Sequence, residues 1–213
     1  RARPLSRGLG DVYKRQLLFN PISHSDSATC DSPTKLHRKM LISIGSNLMS
    51  ISVRSVRSDD IIGISNILNE IIVEGGKTLH NNIMTPLEFE KYYLKSQFSV
   101  CCHVAIQAQS IIGFQLLEWS DPNWSGVDKL PSNWGLISTY IKKNARRLSA
   151  GRQLFHATKL SANKTKMLSI IATVGLFNKG AIEFYESLGF YEYEQFKNDS
   201  NQYCVSKRFD LPV

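Results

Sequence analysis

The sequence predicts a single α/β domain in which a mixed, mostly antiparallel sheet carries helices on both faces. Between Ile51 and Phe209, segments of strand-like periodicity alternate with segments of helical spacing, in the order β-α-α-β-β-β-α-β-α-β-β. The chain has 213 residues, 42% hydrophobic and 21% charged, which is the composition of a globular chain with one core. No apolar run approaches the ~18 residues that a membrane span needs, so no membrane partner is predicted.

Alternating apolar and polar residues and helix-capping motifs predict the elements of the first half of the domain. Ile51 to Val56 alternates apolar and polar residues, which predicts a half-buried strand. Ser58 to Asp60 supply an N-cap and first-turn acids for a helix that ends at Gly75. Thr85-Pro86-Leu87-Glu88 combines an N-cap, Pro at the first helical position and a box-closing Glu, and so predicts a second helix. A hairpin of two strands is predicted at residues 100–107 and 111–118.

The second half follows an irregular loop, rich in Pro, Trp and Asp, that is predicted at Trp119 to Asn133. The segment at 168–174 is almost continuously apolar, which is typical of a strand buried on both faces. Gly189 is expected to end the last helix. The elements predicted after the loop are strands at residues 134–141, 168–174, 191–196 and 202–209, and helices at residues 151–163 and 178–187.

The net charge of +8 is concentrated near the start of the chain. Residues 1–48 contain eight basic and three acidic residues, a net charge of +5, and leave only +3 for the remainder. A nucleic-acid-binding protein is an alternative that this charge motivates. The predicted domain itself is nearly balanced, so no nucleic-acid partner is predicted for it.

Residues 1–48 are interpreted as a leader outside the domain, which is predicted at residues 49–213. A disordered tail and a basic, Ser-containing targeting peptide are both compatible with this composition. A third interpretation rests on Asp11 to Gln16, which resembles the translated transposon-end adapter of sequencing libraries. Residues 1–16 would then be an assembly artefact. Met49 is the predicted start, with Met40 as the alternative, and residues 1–40 are expected to be poorly ordered.

The four cysteines show neither metal-ligand spacing nor a disulfide framework. Cys101 and Cys102 are adjacent, and His103 follows them in a predicted strand, where neighbouring side chains point to opposite faces. We expect a buried strand start here and no metal site. The cysteine pattern favours a reducing compartment, and the cytoplasm is predicted.

A basic turn between a strand and a helix is the first candidate functional site. The strand ends at Ile141, and the next helix begins near Ala150. A helix start exposes unpaired backbone N–H groups at the positive end of the helix dipole, which together bind phosphate. Arg146, Arg147 and Arg152 add positive charge. Taken alone, this segment is also compatible with an ordinary loop whose arginines are solvated.

A second segment, Asn178 to Phe190, strengthens this interpretation. Together the two segments resemble the GNAT superfamily of acyl-CoA-dependent N-acyltransferases. Arg146-x-x-Ser149-x-Gly151 is similar to its pyrophosphate-binding Q/R-x-x-G-x-G/A turn, and the second segment is similar to its N…A…Y…GF motif. The resemblance covers residues 49–209. Three further pieces are similar to amino-acid and phosphinothricin acetyltransferases: Asn69 to Ile72 with Gly75 to Thr78, Gly113 to Glu118, and Leu154 to Thr158.

The resemblance implies a GNAT-like sheet with splayed central strands, and acetyl-CoA inserted between them. Thr139 to Ile141 would pair with the pantetheine arm, Leu148 to Arg152 would supply amides to the pyrophosphate, and Asn178 would hold the pantetheine. Tyr140 as a core residue and Asn178 as a plain N-cap are the alternatives. Ser149 departs from the usual Gly and is expected to restrict positive φ, although its hydroxyl could donate to phosphate. The cofactor-binding residues implied are Thr139, Tyr140, Ile141, Arg146, Arg147, Leu148, Ser149, Ala150, Gly151, Arg152, Asn178, Ala181, Phe184 and Tyr185.

Three residues are candidates for catalysis. The resemblance implies that Tyr185 protonates the departing thiolate; core packing is its alternative. A free amine is protonated at pH 7, so a group must accept its proton. Glu118, at the end of the third strand, is the first candidate for base or amine anchor, although a solvated strand-end carboxylate is the alternative. His80 is the second candidate, because imidazole titrates in the useful range. The loop from Trp119 is predicted to shape the acceptor pocket together with residues 74–80.

These features predict an N-acetyltransferase that moves an acetyl group from acetyl-CoA to a primary amine. The implied mechanism is direct attack, with backbone amides near Ile141 stabilising the oxyanion. The favoured acceptor is a small amino acid or an analogue of one, on resemblance alone. A non-catalytic acyl-CoA-binding relative and an enzyme acting on a peptide or protein amine are the alternatives, and a homodimer is left open.

Overall fold

The computed structural model describes residues 50–212, so the predicted leader lies outside the described residues. The strands are β1 Ser52–Ser55, β2 Ser99–Gln107, β3 Ser110–Trp119, β4 Trp134–Ile141, β5 Ser169–Gly175, β6 Tyr191–Lys197 and β7 Tyr203–Asp210. The helices are α1 Ile61–Glu74, α2 Pro86–Phe89, α3 Ala150–Ala162 and α4 Lys179–Ser187. A 3-10 turn at Ser58–Asp60 leads into α1, a π-helical turn at Glu90–Leu94 continues α2, and a 3-10 turn at Lys143–Ala145 follows β4.

All seven strands form one sheet, in the spatial order β1-β2-β3-β4-β5-β7-β6. Neighbouring strands are antiparallel except for β4 and β5, which are parallel. The predicted element order and the mixed, mostly antiparallel sheet are therefore confirmed. The single parallel pair needs a crossover, and α3 supplies it.

Local signals in the sequence account for most of the element boundaries. The Thr85 hydroxyl accepts the Glu88 N–H, and the Glu88 carboxylate accepts the Thr85 N–H, which is the predicted capping box. The hairpin between β2 and β3 turns at Ala108 and Gln109, both with positive φ. The N-cap residue of α1 is Asp60, within the predicted segment Ser58 to Asp60, although its side chain makes no capping bond to α1. Ser58 lies inside a 3-10 turn, which is closed by the Asp60 carboxylate accepting the Arg57 N–H at 2.7 Å.

Two hydrophobic layers cover the two faces of the sheet. On one face, α1 and α2 pack through Ile64, Leu68 and Phe89 onto β2, β3 and β4. On the other face, α3 and α4 pack through Phe155 and Tyr185 onto β4, β5 and β7. Burial of these side chains stabilises the sheet from both sides, at about 25 cal/mol for each Å² of apolar surface removed from water.

The sheet splits between its two central strands. β4 and β5 pair over only three residues each, Trp134–Leu136 with Ser169–Ile171. Beyond that point β4 continues to pair with β3 as far as Ile141, and β5 continues to pair with β7 as far as Gly175. The facing edges of the two strands therefore leave a gap, which is the splay that the family resemblance implies.

The described cysteines behave as core residues. Cys101, Cys102 and Cys204 are free thiols, and burial raises the pKa of the Cys101 thiol to about 11. A thiol with so high a pKa stays protonated at neutral pH and is a poor nucleophile. The interpretation of this segment as a buried part of the strand is confirmed for Cys102 and His103, whereas Cys101 is partly buried. Within residues 50–212, no helix has the length and apolar character that a membrane crossing requires, and no group of three or more potential ligands is arranged around a metal.

Candidate active site at the splayed strands

A cavity of about 340 Å³ lies at the gap between β4 and β5. Side chains alternate along β4, so Tyr140 packs with the α1 and α2 layer, whereas Ile137 packs with the α3 and α4 layer. Residues from both layers line the same cavity. The cavity therefore passes through the sheet, with one half on each side. We call the α3 and α4 side the donor half and the other side the acceptor half.

Tyr185 is the central polar residue of the donor half. Its side chain is only 5% exposed, and its hydroxyl lies 3.0 Å from Thr139 Oγ1. Burial raises the pKa of Tyr185 well above its ordinary value, despite the opposing effect of the Thr139 hydrogen bond. The phenol is therefore neutral at physiological pH, and its proton is available for donation.

Asn178 joins α4 to the loop after α1. Its Oδ1 accepts the Ala181 N–H at 3.3 Å, which caps the helix, and its Nδ2 donates to the Lys77 carbonyl at 2.9 Å. The N-cap role is thus present, and the side chain also borders the cavity. The second bond ties the loop at Lys77 to the start of α4.

The start of α3 has the backbone expected of an anion site. Gln153 N–H makes the first bond of the helix, to the Ser149 carbonyl, so the amides of residues 150–152 have no acceptor within the helix. Ser149 adopts a positive φ of 65° and does not cap the helix with its side chain. A Cβ at position 151 would lie 2.7 Å from the Phe184 ring, so Gly151 allows α4 to approach. Arg147 and Arg152 are exposed beside this turn.

Arg146 does not add free positive charge to this turn. Both of its terminal nitrogens donate to the Glu74 carboxylate, at 2.9 and 2.6 Å, and this pairing lowers the pKa of Glu74. The ion pair ties the turn to the end of α1. Arg147 and Arg152 therefore remain as the cations of the predicted set that are available to a phosphate.

Replacing Ser149 by glycine is expected to stabilise the protein by about 0.5–1 kcal/mol. Glycine adopts a positive φ without the steric cost that serine has there. That cost is larger than the free energy lost because glycine increases the entropy of the unfolded chain. Urea unfolding measures the change. Ser149→Ala is the matched control, because it removes the hydroxyl and keeps the left-handed strain. Equal stability of the two variants would contradict this account of the turn.

Four polar residues line the acceptor half: His80, Tyr93, Glu118 and Tyr140. His80 Nε2 lies 3.0 Å from the Tyr93 hydroxyl, and burial lowers the pKa of His80. Burial raises the pKa of Tyr140 to about 12, and the Glu118 carboxylate adds to that rise. His80 is thus a neutral imidazole already bonded to Tyr93. Glu118 also lines the cavity, and its carboxylate is the other candidate to meet a cationic amine.

The loop after β3 closes the acceptor half. Trp119, Asp121, Trp124 and Asp128 all line the cavity, and the Trp124 Nε1–H donates to Asp128 at 2.7 Å. Lys77 to His80 line it from the opposite loop. Residues of both segments therefore line one cavity, although Glu74 is engaged with Arg146 and does not line it. That this cavity takes the acceptor stays a prediction.

The structure divides the predicted site residues into two groups. Those that line the cavity are His80, Glu118, Thr139, Tyr140, Asn178, Ala181 and Tyr185. The others lie outside it, on β4 and around the start of α3: Ile141, Arg146, Arg147, Leu148, Ser149, Ala150, Gly151, Arg152 and Phe184.

Sequence reasoning missed two residues of the site. Tyr93 contacts His80 from the π-helical turn, and no pattern in the sequence distinguishes it from Tyr92 beside it. Gln115 donates from Nε2 to Thr139 at 2.8 Å. The sequence does distinguish Gln115, because it is a polar residue within a strand of mostly apolar residues, and a buried amide needs a hydrogen-bond partner.

The family model for "Acetyltransferase (GNAT) family" matches residues 71–190, more than half of the chain. The chain belongs to the GNAT acetyltransferase family. This acetyltransferase is therefore an acyl-CoA-dependent enzyme, and acetyl-CoA is its acyl donor. The matched range begins in α1 and ends just after α4, so it includes both halves of the cavity.

Solved structures share the fold of this acetyltransferase at low sequence identity. An N-acetyltransferase from Staphylococcus aureus Mu50 is 18% identical with a TM-score of 0.63, covering 76% of this chain and 99% of its own. A ribosomal-protein-alanine N-acetyltransferase from Brucella melitensis is 18% identical with a TM-score of 0.64, covering 75% and 99%. A phosphinothricin acetyltransferase from Sinorhizobium meliloti, in complex with AcCoA, is 17% identical with a TM-score of 0.62, covering 76% and 88%. No curated protein sequence matches the chain.

The residues of this acetyltransferase fit acetyl-CoA. The gap beyond Leu136 and Ile171 leaves strand edges that can pair with an extended arm. The uncapped amides at the start of α3, with Arg147 and Arg152 beside them, suit a diphosphate. The cavity, near the lower end of ligand-pocket volumes, can hold the reacting end of the molecule.

Proposed function

We propose that this acetyltransferase transfers an acetyl group from acetyl-CoA to a primary amine of a small molecule. The observation that carries the proposal is the cavity that crosses the sheet at the splay. A neutral phenol, Tyr185, lies in its donor half, and a carboxylate, Glu118, lies in its acceptor half. An acid for the leaving group and a base for the attacking amine are the two functions that this reaction requires.

The proposed roles follow from the protonation states of the two groups. The acceptor arrives as an ammonium ion, because an amine has a pKa near 10. Glu118 attracts this ion and accepts its proton, directly or through water. Acetyl-CoA supplies the acyl group as a thioester. Tyr185 donates its proton to the sulfur that departs. Burial weakens Tyr185 as an acid, and the same dry environment makes a thiolate beside it more basic, which compensates.

An amino acid or an analogue is the acceptor that the subgroup resemblance favours. Glu118, Asp121 and Asp128 border the acceptor half and would attract an ammonium group. The carboxylate of an amino acid needs a cationic partner. Within residues 50–212, Lys77 is the only lysine or arginine that lines the cavity. We therefore assign Lys77 to the acceptor carboxylate.

Replacing Lys77 by alanine is expected to raise KM about tenfold for an amino-acid acceptor, the loss of one charge-assisted hydrogen bond. KM for the corresponding amino-acid amide is expected to stay unchanged, because the amide carries no carboxylate. The backbone carbonyl that holds Asn178 is retained in the variant. Lys129→Ala is the matched control, an exposed lysine that does not line the cavity. An equal effect on both acceptors would contradict the assignment.

An acetyltransferase that acts on a peptide or protein amine is the second candidate, since one structure of the same fold is named a ribosomal-protein-alanine N-acetyltransferase. A non-catalytic acyl-CoA-binding protein is the third. Thiol release from acetyl-CoA, measured across amino acids, polyamines and peptides, separates the three. We expect release with amino acids. Release with peptides alone would favour the second candidate, and acetyl-CoA binding without release would favour the third.

A reducing compartment, with the cytoplasm as the proposed location, is supported by the free thiols of Cys101, Cys102 and Cys204. We retain the proposal that the domain has no nucleic-acid partner, because most of the positive charge lies in residues 1–48. Deleting those residues is expected to abolish any salt-sensitive DNA binding.

A further inference from the structure

Gln115 is a fully buried polar residue in the middle of β3. It is 0% exposed and lies between Phe114 and Leu116, which are also buried. Its Nε2 donates to Thr139 Oγ1 at 2.8 Å, whereas its Oε1 has no hydrogen-bond partner among the described residues. It does not line the cavity, so it can affect the reaction only through its neighbours.

Packing does not explain a glutamine at this position. A buried carbonyl without a partner destabilises a protein, and an apolar side chain of the same length would avoid that loss. Methionine has nearly the same length and no polar hydrogen to satisfy. Gln115 is therefore better explained by the contact that its amide does make, with Thr139.

This contact gives a direction to two linked hydrogen bonds, which join Gln115, Thr139 and Tyr185. The amide nitrogen of Gln115 can only donate, so the Thr139 oxygen must accept from it. The Thr139 hydroxyl can then donate its own proton to the Tyr185 oxygen, 3.0 Å away. The Tyr185 proton is left to point into the cavity. The reverse amide orientation would leave both N–H groups of Gln115 unpaired, rather than one N–H and the carbonyl oxygen. A buried N–H without an acceptor is less well tolerated than a carbonyl oxygen without a donor, so the reverse orientation is the worse arrangement.

We propose that Gln115 is a positioning residue that, through Thr139, directs the Tyr185 proton toward the sulfur of acetyl-CoA. The proposal rests on the proposed role of Tyr185 as the acid. The two linked hydrogen bonds also make the phenol a better donor, because a hydroxyl that accepts a hydrogen bond is a stronger acid. Without Gln115, the Tyr185 hydroxyl can instead donate to Thr139, and its proton then points away from the cavity.

The Gln115→Met variant tests this. It removes the donor, keeps the length of the side chain and also removes the unpartnered carbonyl, so the protein is expected to fold. In the full-length protein, kcat is expected to fall about tenfold, because the variant loses one aligned hydrogen bond. KM for acetyl-CoA is expected to stay within about twofold, because Gln115 does not border the cavity.

Thr158→Val is the matched control. Thr158 is also 0% exposed, and its hydroxyl contacts His103 Nδ1 at 3.3 Å rather than Thr139. Removing this buried polar group perturbs the same side of the sheet without touching the two hydrogen bonds that lead to Tyr185. Its kcat is expected to equal that of the unmodified protein. A similar fall in kcat in both variants would show a general structural effect and overturn the proposal.

A double-mutant cycle with Tyr185→Phe separates this proposal from the role of Tyr185 itself. We expect Gln115→Met to have no further effect on kcat once the Tyr185 hydroxyl is absent. An undiminished tenfold fall in that background would overturn the positioning role. If Tyr185→Phe lowers kcat and Gln115→Met alone does not, the acid role stands and the positioning role fails. If Tyr185→Phe leaves kcat unchanged, the acid role fails and the positioning role fails with it.

Discussion

Replacing Tyr185 by phenylalanine is expected to lower kcat about 100-fold, at the lower end of the range for loss of a general acid. KM for acetyl-CoA is expected to change by less than about twofold, because the ring and its packing against Phe184 and Phe190 are retained. The protein is expected to keep its fold, since the lost hydrogen bond to Thr139 leaves Thr139 still bonded to Gln115. Steady-state kinetics at saturating acceptor measures both parameters.

Tyr203→Phe is the control for this experiment, because Tyr203 is 61% exposed on β7 and does not line the cavity. Its kinetic parameters are expected to match those of the unmodified protein. An unchanged kcat for Tyr185→Phe would assign Tyr185 to the aromatic core alone. The leaving thiolate would then depart without a proton from this side chain.

Replacing Glu118 by glutamine is expected to lower kcat/KM for the amine about 100-fold, with little effect on KM for acetyl-CoA. The variant keeps the size of the side chain and removes the negative charge that attracts the ammonium ion and accepts its proton. Glu194→Gln is the control, since Glu194 is exposed on β6 at the edge of the sheet. Equal kcat/KM in both variants would exclude Glu118 from either role.

The pH dependence of kcat/KM, together with a His80 variant, distinguishes Glu118 from His80 as the base. Burial lowers the pKa of His80, so its imidazole gains a proton only below about pH 6.5, its ordinary pKa. If His80 were the base, activity would fall as pH drops through that depressed pKa, and His80→Phe would abolish activity. We expect His80→Phe to retain kcat/KM within about tenfold, because the imidazole is bonded to Tyr93. Loss of activity in His80→Phe together with an active Glu118→Gln would reverse the two roles.

Features encoded by neighbouring residues could be predicted from the sequence. The capping box at Thr85 and Glu88 depends on a spacing of three residues, and β4 was predicted with its observed bounds, Trp134–Ile141. The strain at Ser149 could also be anticipated, because its place in the motif is one where glycine supplies a positive φ. In each case the physical cause lies within one turn or one strand.

Contacts between distant residues could not be predicted in the same way. Arg146 was expected to face a phosphate, but its partner is Glu74, 72 residues away in the chain. The Thr139 hydroxyl joins Gln115 and Tyr185, which lie on β3 and α4, and only the sheet register and the packing of α4 bring them together. Periodicity indicates which face a side chain occupies, and it does not identify the partner on that face.

Hydrogen–deuterium exchange with and without acetyl-CoA tests most directly whether the split sheet and the start of α3 hold this molecule. Bound acetyl-CoA is expected to slow exchange in two segments, residues 137–141 on the open edge of β4 and residues 149–152 at the start of α3. Exchange in β6, at the far edge of the sheet, is expected to stay the same. Unchanged exchange in both segments at saturating acetyl-CoA, or slowing confined to other parts of the chain, would contradict this placement of the acyl donor.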